Sequence, residues 1–219
     1  MPYLYEMHLH TAQTSPCARV GAKEAALAYK KGGYSGIVVT DHFTPNTFTA
    51  GTWEEKTEFF LKGYRAAKEA EDASFSVMLG MEIRFPANGN DFLLYGLTEE
   101  FLRQNPDINL MELDSFLPLA HDYGILVFQA HPFRDNMCVV RPDRLDGIEV
   151  FNANRRHDSR NSIAKMWASL YRMKTVSGSD FHVAGDACRG GIYTAEEIRD
   201  SVQLASVLRS GNYTCKVVR

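Results

Sequence analysis

The chain has 219 residues, of which 45% are hydrophobic, and a formal net charge of −3. That length and apolar share suit a single domain over residues 1–219 with a sizeable core, and no Pro/Gly/Ser-rich linker divides it. The mildly acidic balance argues against long nucleic acid as a partner, and no apolar run approaches the roughly 20 residues of a membrane span. Residues 1–6 have no basic stretch leading into an apolar one, so no signal peptide is expected. The four cysteines form no CxxC pair and read as reduced thiols of a cytoplasmic protein.

Short runs rich in Val, Ile and Phe, without clean alternation, predict strands buried on both faces. The first, Tyr3 to Met7, leads into His8-Leu9-His10. A helix is expected over 21–31, where strong helix formers stop at Gly32-Gly33. Gly36 to Thr40 predicts a second strand, which runs into Asp41-His42. Thr52, with Glu55 three residues on, reads as a capping box opening a long helix with Phe59, Phe60, Tyr64 and Ala67 on its apolar face. Val77 to Met81 ends in Glu82, whereas the run from Asp91 to Gly96 carries its carboxylate at the start. A helix from about 109 to 123 stops at Gly124, after which Ile125 to Ala130 ends in His131. Gly147 to Phe151 ends in Asn152, a helix follows His157, and Thr175 to Ser179 delivers Asp180-Phe181-His182. The last helix is expected to open at Thr194, with Glu197 completing a second capping box. Alternation of strand and helix predicts an α/β fold with a largely parallel sheet, and an open doubly wound sheet fits the same periodicity.

His8 and His10 are two apart on a strand, so both face the same side. Asp180-x-His182 repeats that geometry near the other end, and His42, Glu82 and His131 each cap a strand of their own. Taken singly, each has a plainer reading: His42 as a loop cap, Glu82 paired with Arg84, Asp180 as a helix cap. Five of the seven histidines at predicted strand ends are better explained together, as the ligands of a metal-dependent hydrolase. A phosphate would need cations beside them. Arg134 follows His131, Arg155, Arg156 and His157 follow Asn152, and Arg189 lies after His182, all expected on one face. The competing reading is that surface loops are rich in arginine anyway. Asn152 and Asn154 either contact substrate or satisfy loop backbone, and His121, inside a predicted helix, reads as structural.

In order, His8-Leu9-His10-Thr11, Thr40-Asp41-His42, Gly80-Met81-Glu82, Ala130-His131-Pro132 and Gly178-Ser179-Asp180-Phe181-His182 resemble the successive motifs of the PHP (polymerase and histidinol phosphatase) family, across nearly the whole chain. The resemblance implies a distorted seven-stranded β/α barrel of TIM-like form, with two or three divalent ions (Zn, Mn or Fe) at its C-terminal face. It implies that His8, His10, Glu82 and Asp180 surround a first ion. Glu82 would bridge to a second shared with His131, and His42 and His182 would hold a third. Two positions depart from the family pattern. Thr14-Ser15-Pro16-Cys17 stands where a further His or Asp is usual, and Asp91 stands where a His is common. Asp91 can still bind a cation. Ser15 is a poor ligand, and Cys17 reads as a small buried thiol unless its loop folds inward. The third position is therefore expected to be the weak one.

The implied chemistry is phosphoester hydrolysis by a water that clustered ions make acidic, with a pKa near ~7. Glu82 and Asp180 would be catalytic through the ions they hold, and Asp41 would orient a ligand, move a proton or cap the next turn. The expected substrate is a small phosphorylated molecule or a short nucleotide. An amidohydrolase acting on C–N bonds shares the ligand pattern, although no Lys at a strand end offers the bridge common there. A PHP domain that has lost catalysis and kept a binding role is the third reading. The sequence carries no signal for oligomeric state.

Overall fold

The computed structural model describes residues 2–47 and 50–218. From the N-terminus come β1 (Tyr3–Leu9), α1 (Ala22–Lys31), β2 (Gly36–Val39), β3 (His42–Phe43), α2 (Trp53–Lys68), β4 (Ser76–Leu79), β5 (Met81–Arg84) and β6 (Asp91–Tyr95). There follow α3 (Glu99–Gln104), α4 (Leu113–Asp122), β7 (Leu126–Gln129), β8 (Gly147–Asn152), α5 (Asn161–Tyr171), β9 (Lys174–Gly178), β10 (Ile192–Thr194), α6 (Ser201–Ser210) and β11 (Tyr213–Cys215).

The strands form two mixed sheets, ordered β11-β10-β1-β2-β4 and β3-β5-β6-β7-β8-β9. Strands β1, β2 and β4 are mutually parallel, as are β7, β8 and β9. The expected parallel pattern is broken by β6, antiparallel to both neighbours, and by the antiparallel edge β10-β11. Only a few residues separate β5 from β6, enough for a hairpin but not for the crossover that a parallel pair needs.

The chain passes from one sheet into the other almost without interruption. Backbone N–H groups of Thr40, Gly80 and Glu82 donate to the carbonyls of Leu9, Val39 and Asp41 at 2.9, 2.9 and 3.1 Å, carrying strand pairing across the seam. On the far side, Phe181 N–H donates to His8 at 3.2 Å and His10 N–H to Phe181 at 3.0 Å. Gly178 permits this approach, since a Cβ there would lie 2.3 Å from His8 Cβ and 2.9 Å from Glu149 Oε1. The result brings the ends of β1, β2, β5, β7 and β9 to one place.

Alternation within the strands explains the packing. In β2, Ile37 and Val39 face Ala22, Ala25, Ala26 and Tyr29 of α1, while Val38 faces inward with Tyr5, Met7, Met78, Leu93, Phe128 and Val176. Both faces are apolar because both are covered, at roughly 1.5–3 kcal/mol for each large side chain removed from water. A third group, including Phe43, Phe60, Phe92, Phe101 and Phe116, lies under α2, α3 and α4.

Helix α2 starts as expected: Thr52 Oγ1 accepts from Glu55 N–H at 3.2 Å, and Glu55 Oε2 accepts from Thr52 N–H at 2.8 Å. The last helix does not. Thr194 lies in β10 and its hydroxyl donates to Glu196 C=O, while α6 begins at Ser201 because Asp200 caps Gln203 N–H at 2.8 Å. Helix α3 has six residues, too few to show a period in the sequence. Among the described residues, no helix is long and apolar enough to cross a membrane. All four cysteines are free thiols.

Candidate metal centre

His8 and His10 leave the end of β1 on the same face, and their Nε2 atoms lie 3.1 Å apart. Each ring is fixed by its other nitrogen. His8 Nδ1 meets Glu149 Oε1 at 3.0 Å, and His10 Nδ1 meets Ser15 Oγ at 3.3 Å. With the protons on Nδ1, two Nε2 lone pairs face each other in a site closed to solvent, an arrangement that a bound cation relieves. Glu82 stands between the imidazoles: Oε1 is 3.3 Å from His8 Nε2 and 3.1 Å from His131 Nε2, and Oε2 is 3.3 Å from His10 Nε2. His42 Nδ1 is 2.8 Å from Glu82 Oε2, but the two are not aligned as a hydrogen bond, and neither atom has a hydrogen-bond partner.

Asp180 completes this group. Its Oδ2 accepts from Asn152 and Asn154 at 3.1 and 3.2 Å and lies 3.3 Å from His157 Nε2. That leaves Oδ1 facing His8, His10 and His182 at 3.6, 3.4 and 3.3 Å. Asp180 and His131 both have positive φ, 48° and 29°. For residues with a Cβ such backbone costs on the order of 1–3 kcal/mol and is concentrated at functional sites. Four sets of donor atoms lie mutually within 4.8 Å: His8/His10/Glu82, His8/His131/Asp180, Glu82/Asp91/His131 and His10/His42/His182. Imidazole and carboxylate in such groups are a donor set for Zn, Mn or Fe, so the residues fit divalent ions.

Electrostatics set the protonation of this cluster. Burial pushes the Glu82 carboxyl up, but His42 and His8 outweigh it and hold it well below the usual carboxylate range. Asp180 is likewise held low, by His8, His10 and His157, against its burial. Burial, reinforced by His42 and His182, keeps His10 well below the ordinary imidazole value. His8 goes the other way, since Glu149, Asp180 and Glu82 overcome its burial and raise it.

The remaining candidates have varied surroundings. Asp41 accepts from Thr11 N–H, Thr11 Oγ1 and Ser15 Oγ at 2.7, 2.7 and 2.6 Å, and burial raises it to about 6. Its contact with the cluster runs through Ser15, which also accepts from His42 N–H at 3.0 Å. Asp91 receives both arms of Arg84 at 2.8 Å, so Arg84 pairs with Asp91 across the β5-β6 hairpin and not with Glu82. Asp91 Oδ2 remains 4.0 Å from His131 Nε2. Arg134 is one-quarter exposed, with its guanidinium 3.5 Å from Asp91 and 3.4 Å from His131. Arg156 is tied to Asp186 at 2.8 Å, Arg155 is exposed, and Arg189 donates its backbone N–H to Ser179 Oγ at 3.0 Å. His157 is braced by Ser159 at 3.0 Å. Asn152 also donates to Glu149 Oε2 at 3.0 Å, so its amide joins two carboxylates of the cluster. Cys17 departs from the expected buried thiol. It is exposed, its loop is held toward the cluster by Ser15 and Arg19, and the nearby His182 and His42 bring its thiol down to about 6 against burial.

Sequence reasoning missed Glu149, which orients His8 and accepts from His131 N–H at 2.9 Å. The available signal was a carboxylate inside the buried run Gly147 to Phe151. Ser15, a poor ligand, positions the His10 ring instead.

No protein-family model and no curated protein matches this chain. Among solved structures it is similar to a two-domain protein from Bacteroides vulgatus containing a predicted PHP-like metal-dependent phosphoesterase. The TM-score is 0.68 at 15% identity over 99% of this chain, which spans 65% of that protein's length. It is also similar to PsfC from Pseudomonas syringae, with TM-score 0.71, 14% identity and coverage of 99% and 92% of the two chains. A third likeness is to an amidohydrolase from Chromobacterium violaceum with bound sulfate and no metal, with TM-score 0.58, 13% identity and coverage of 93% and 96%. At these identities the likeness is one of fold. The chain has the mixed α/β fold found in PHP-like and amidohydrolase proteins.

Proposed function

We propose that this protein is a metal-dependent phosphoesterase of PHP type that hydrolyses a small phosphorylated molecule or short nucleotide. The two sheets, joined at Thr40, Gly80 and Phe181, are read as one distorted seven-stranded barrel within a single domain, with the centre at its C-terminal face. The observation that carries the proposal is the convergence of His8 Nε2, His10 Nε2, Glu82 and Asp180 Oδ1 in a buried site, each ring fixed from behind.

In this reading His8, His10, Glu82 and Asp180 would hold a first divalent ion, and Glu82 and His131 a second. Such ions lower the pKa of a coordinated water toward ~7 and offset charge on a phosphoryl group. Glu149 keeps the His8 proton on Nδ1, and Ser15, itself held by Asp41, does the same for His10. Asn152, Asn154 and His157 occupy Asp180 Oδ2 and so leave Oδ1 facing the His8 and His10 rings, where it would be free to bind an ion. Arg134 is the best placed cation for a phosphate oxygen, because part of its guanidinium is open to solvent beside His131. The free thiols support a reducing compartment, such as the cytoplasm.

The test is metal analysis of protein reconstituted with Zn, Mn or Fe, followed by a panel of phosphomonoesters and phosphodiesters. Metal-dependent release of phosphate or nucleotide is the expected result. The fold shared with an amidohydrolase supports a second reading. Cleavage of amides with no phosphoester turnover would select it, whereas a loaded but inert protein would indicate a binding role.

A further inference from the structure

Helix α5 carries two apolar faces, and the fold covers one of them. Ala164 and Ala168 are buried against Ile148 and Val150 of β8, and their small side chains let the helix lie close to the sheet. Ile163, Met166, Trp167 and Leu170 stand at i, i+3, i+4 and i+7, the spacing of a helix face that packs against another surface. That stripe is turned outward. Met166 and Leu170 are 72% and 71% exposed, with Ile163 and Tyr171 exposed beside them. Trp167 is half-buried, its ring centroid 4.5 Å from Tyr171 and 5.9 Å from Phe133. Single exposed apolar side chains are ordinary on a surface, whereas a contiguous stripe marks an interaction site.

The charges around the stripe indicate what covers it. The stripe itself is uncharged, and Lys165 turns away from it, over the Phe151 ring at 5.8 Å. At its N-terminal end lie two acids: Asp158, exposed, and Asp135, which pairs with Arg160. No acid occurs from 159 to 179, and the C-terminal end carries Arg172 and Lys174, which form no ion pair among the described residues. A second copy laid antiparallel across the stripe satisfies both ends at once. Ile163 then meets Leu170 of the partner subunit, Met166 lies near the twofold axis, and the basic end of each copy meets the acidic end of the other. Such an isologous contact is the commonest geometry of homo-oligomers, and this one buries no charge without a counterion.

We propose that the outer face of α5 is a homodimer interface, on which a second copy of this chain docks antiparallel through the same face. The inference does not depend on the chemistry of the centre. A helix of 11 residues is about 16 Å long, so two of them cover less than the roughly 1,200 Å² of stable complexes, and the dimer should be weak and reversible. Arg160 at the start of α5 also donates to Phe133 C=O at 2.6 Å, which ties the covered end of the helix to the loop after His131.

Sedimentation velocity of the whole chain from about 1 µM to about 1 mM tests this. A reversible monomer–dimer equilibrium is expected. Met166→Glu and Leu170→Glu, both at exposed positions, should each raise the dissociation constant roughly tenfold or more, because a carboxylate must then be desolvated in an apolar contact. Their circular dichroism should be unchanged. Arg172→Glu should weaken the dimer as well, most strongly at low salt, where screening is least. Val202→Glu, exposed on α6, should leave it as it is. A chain that stays monomeric over the whole range would overturn the proposal. So would a dimer that both α5 carboxylate variants retain, since the interface would then lie on another face. Indifference to Arg172→Glu would overturn the antiparallel arrangement. A monomer that binds anionic lipid vesicles through the stripe would give the face to a membrane surface and overturn the proposal equally.

Discussion

Glu82 reaches four imidazoles from its two oxygens, those of His8, His10, His42 and His131. Glu82→Gln keeps the volume but replaces one oxygen with an amide that cannot bridge two cations. The variant should fold normally and lose at least one ion per chain, with metal-dependent turnover falling by a factor of 100 or more, equal to about 2.7 kcal/mol of barrier. Wild-type metal content in that variant would contradict the bridging role. The imidazoles make a second prediction. In metal-free protein His8, His42 and His182 are all raised: Glu149, Asp180 and Glu82 outweigh burial at His8, Glu82 does so at His42, and Cys17 and Asp180 do so at His182. The stability these rings give the metal-free fold is complete below about pH 6.5 and is lost as pH rises through their raised folded values. His10 is lowered and does not share in this effect. A cation must displace the protons, so its apparent affinity should climb with pH across the same window. Competition titrations at pH 6.5 and 8 would show this, and equal affinities would contradict it. At this scale the sequence disclosed the residues at strand ends, because spacing reports direction. It disclosed Glu149 and Ser15 poorly, because what they do depends on which rings fold against them.

Helix α2 approaches the centre through Gly63, whose absent side chain makes room for the loop after β1. A Cβ at Gly63 would lie 2.2 Å from Thr11 Oγ1 and 2.3 Å from Asp41 Oδ2. In an exposed helix Gly→Ala gains up to ~1 kcal/mol. Here the added methyl would push apart the Thr11–Asp41–Ser15 network, and the change should instead destabilise by about 1–3 kcal/mol, as overpacking does. Denaturant unfolding measures the sign, and a stabilised Gly63→Ala protein would show that the helix is free to shift. Element boundaries were legible wherever a cap was local, as at Thr52 and Gly124. They were misread at Thr194, where a second Thr-x-x-Glu pattern lies in strand β10 and Asp200 takes the capping role. The β5-β6 hairpin was also missed, because antiparallel and parallel strands covered on both faces look alike in sequence.

Across the whole molecule, the centre joins the two sheets: β1 contributes His8 and His10, β3 and β5 contribute His42 and Glu82, and the turns after β7 and β9 contribute His131 and Asp180. Ions held by these elements would bind the folded chain and not the unfolded one, and so would stabilise it by mass action. Chelation should lower Tm, and re-addition of Zn²⁺ or Mn²⁺ should restore it in a concentration-dependent way. A Tm indifferent to chelator would imply that hydrogen bonds alone hold the cluster. The overall architecture was legible as alternating strands and helices, whereas its division into two mixed sheets follows from backbone pairings that no spacing rule encodes. The most direct test of the central claim is anomalous diffraction from crystals grown with Zn²⁺ or Mn²⁺, collected at the metal edge. Peaks are expected between His8 Nε2, His10 Nε2, Glu82 and Asp180 Oδ1, and between Glu82 and His131. A fully reconstituted crystal with no anomalous peak within bonding distance of Glu82 would contradict it.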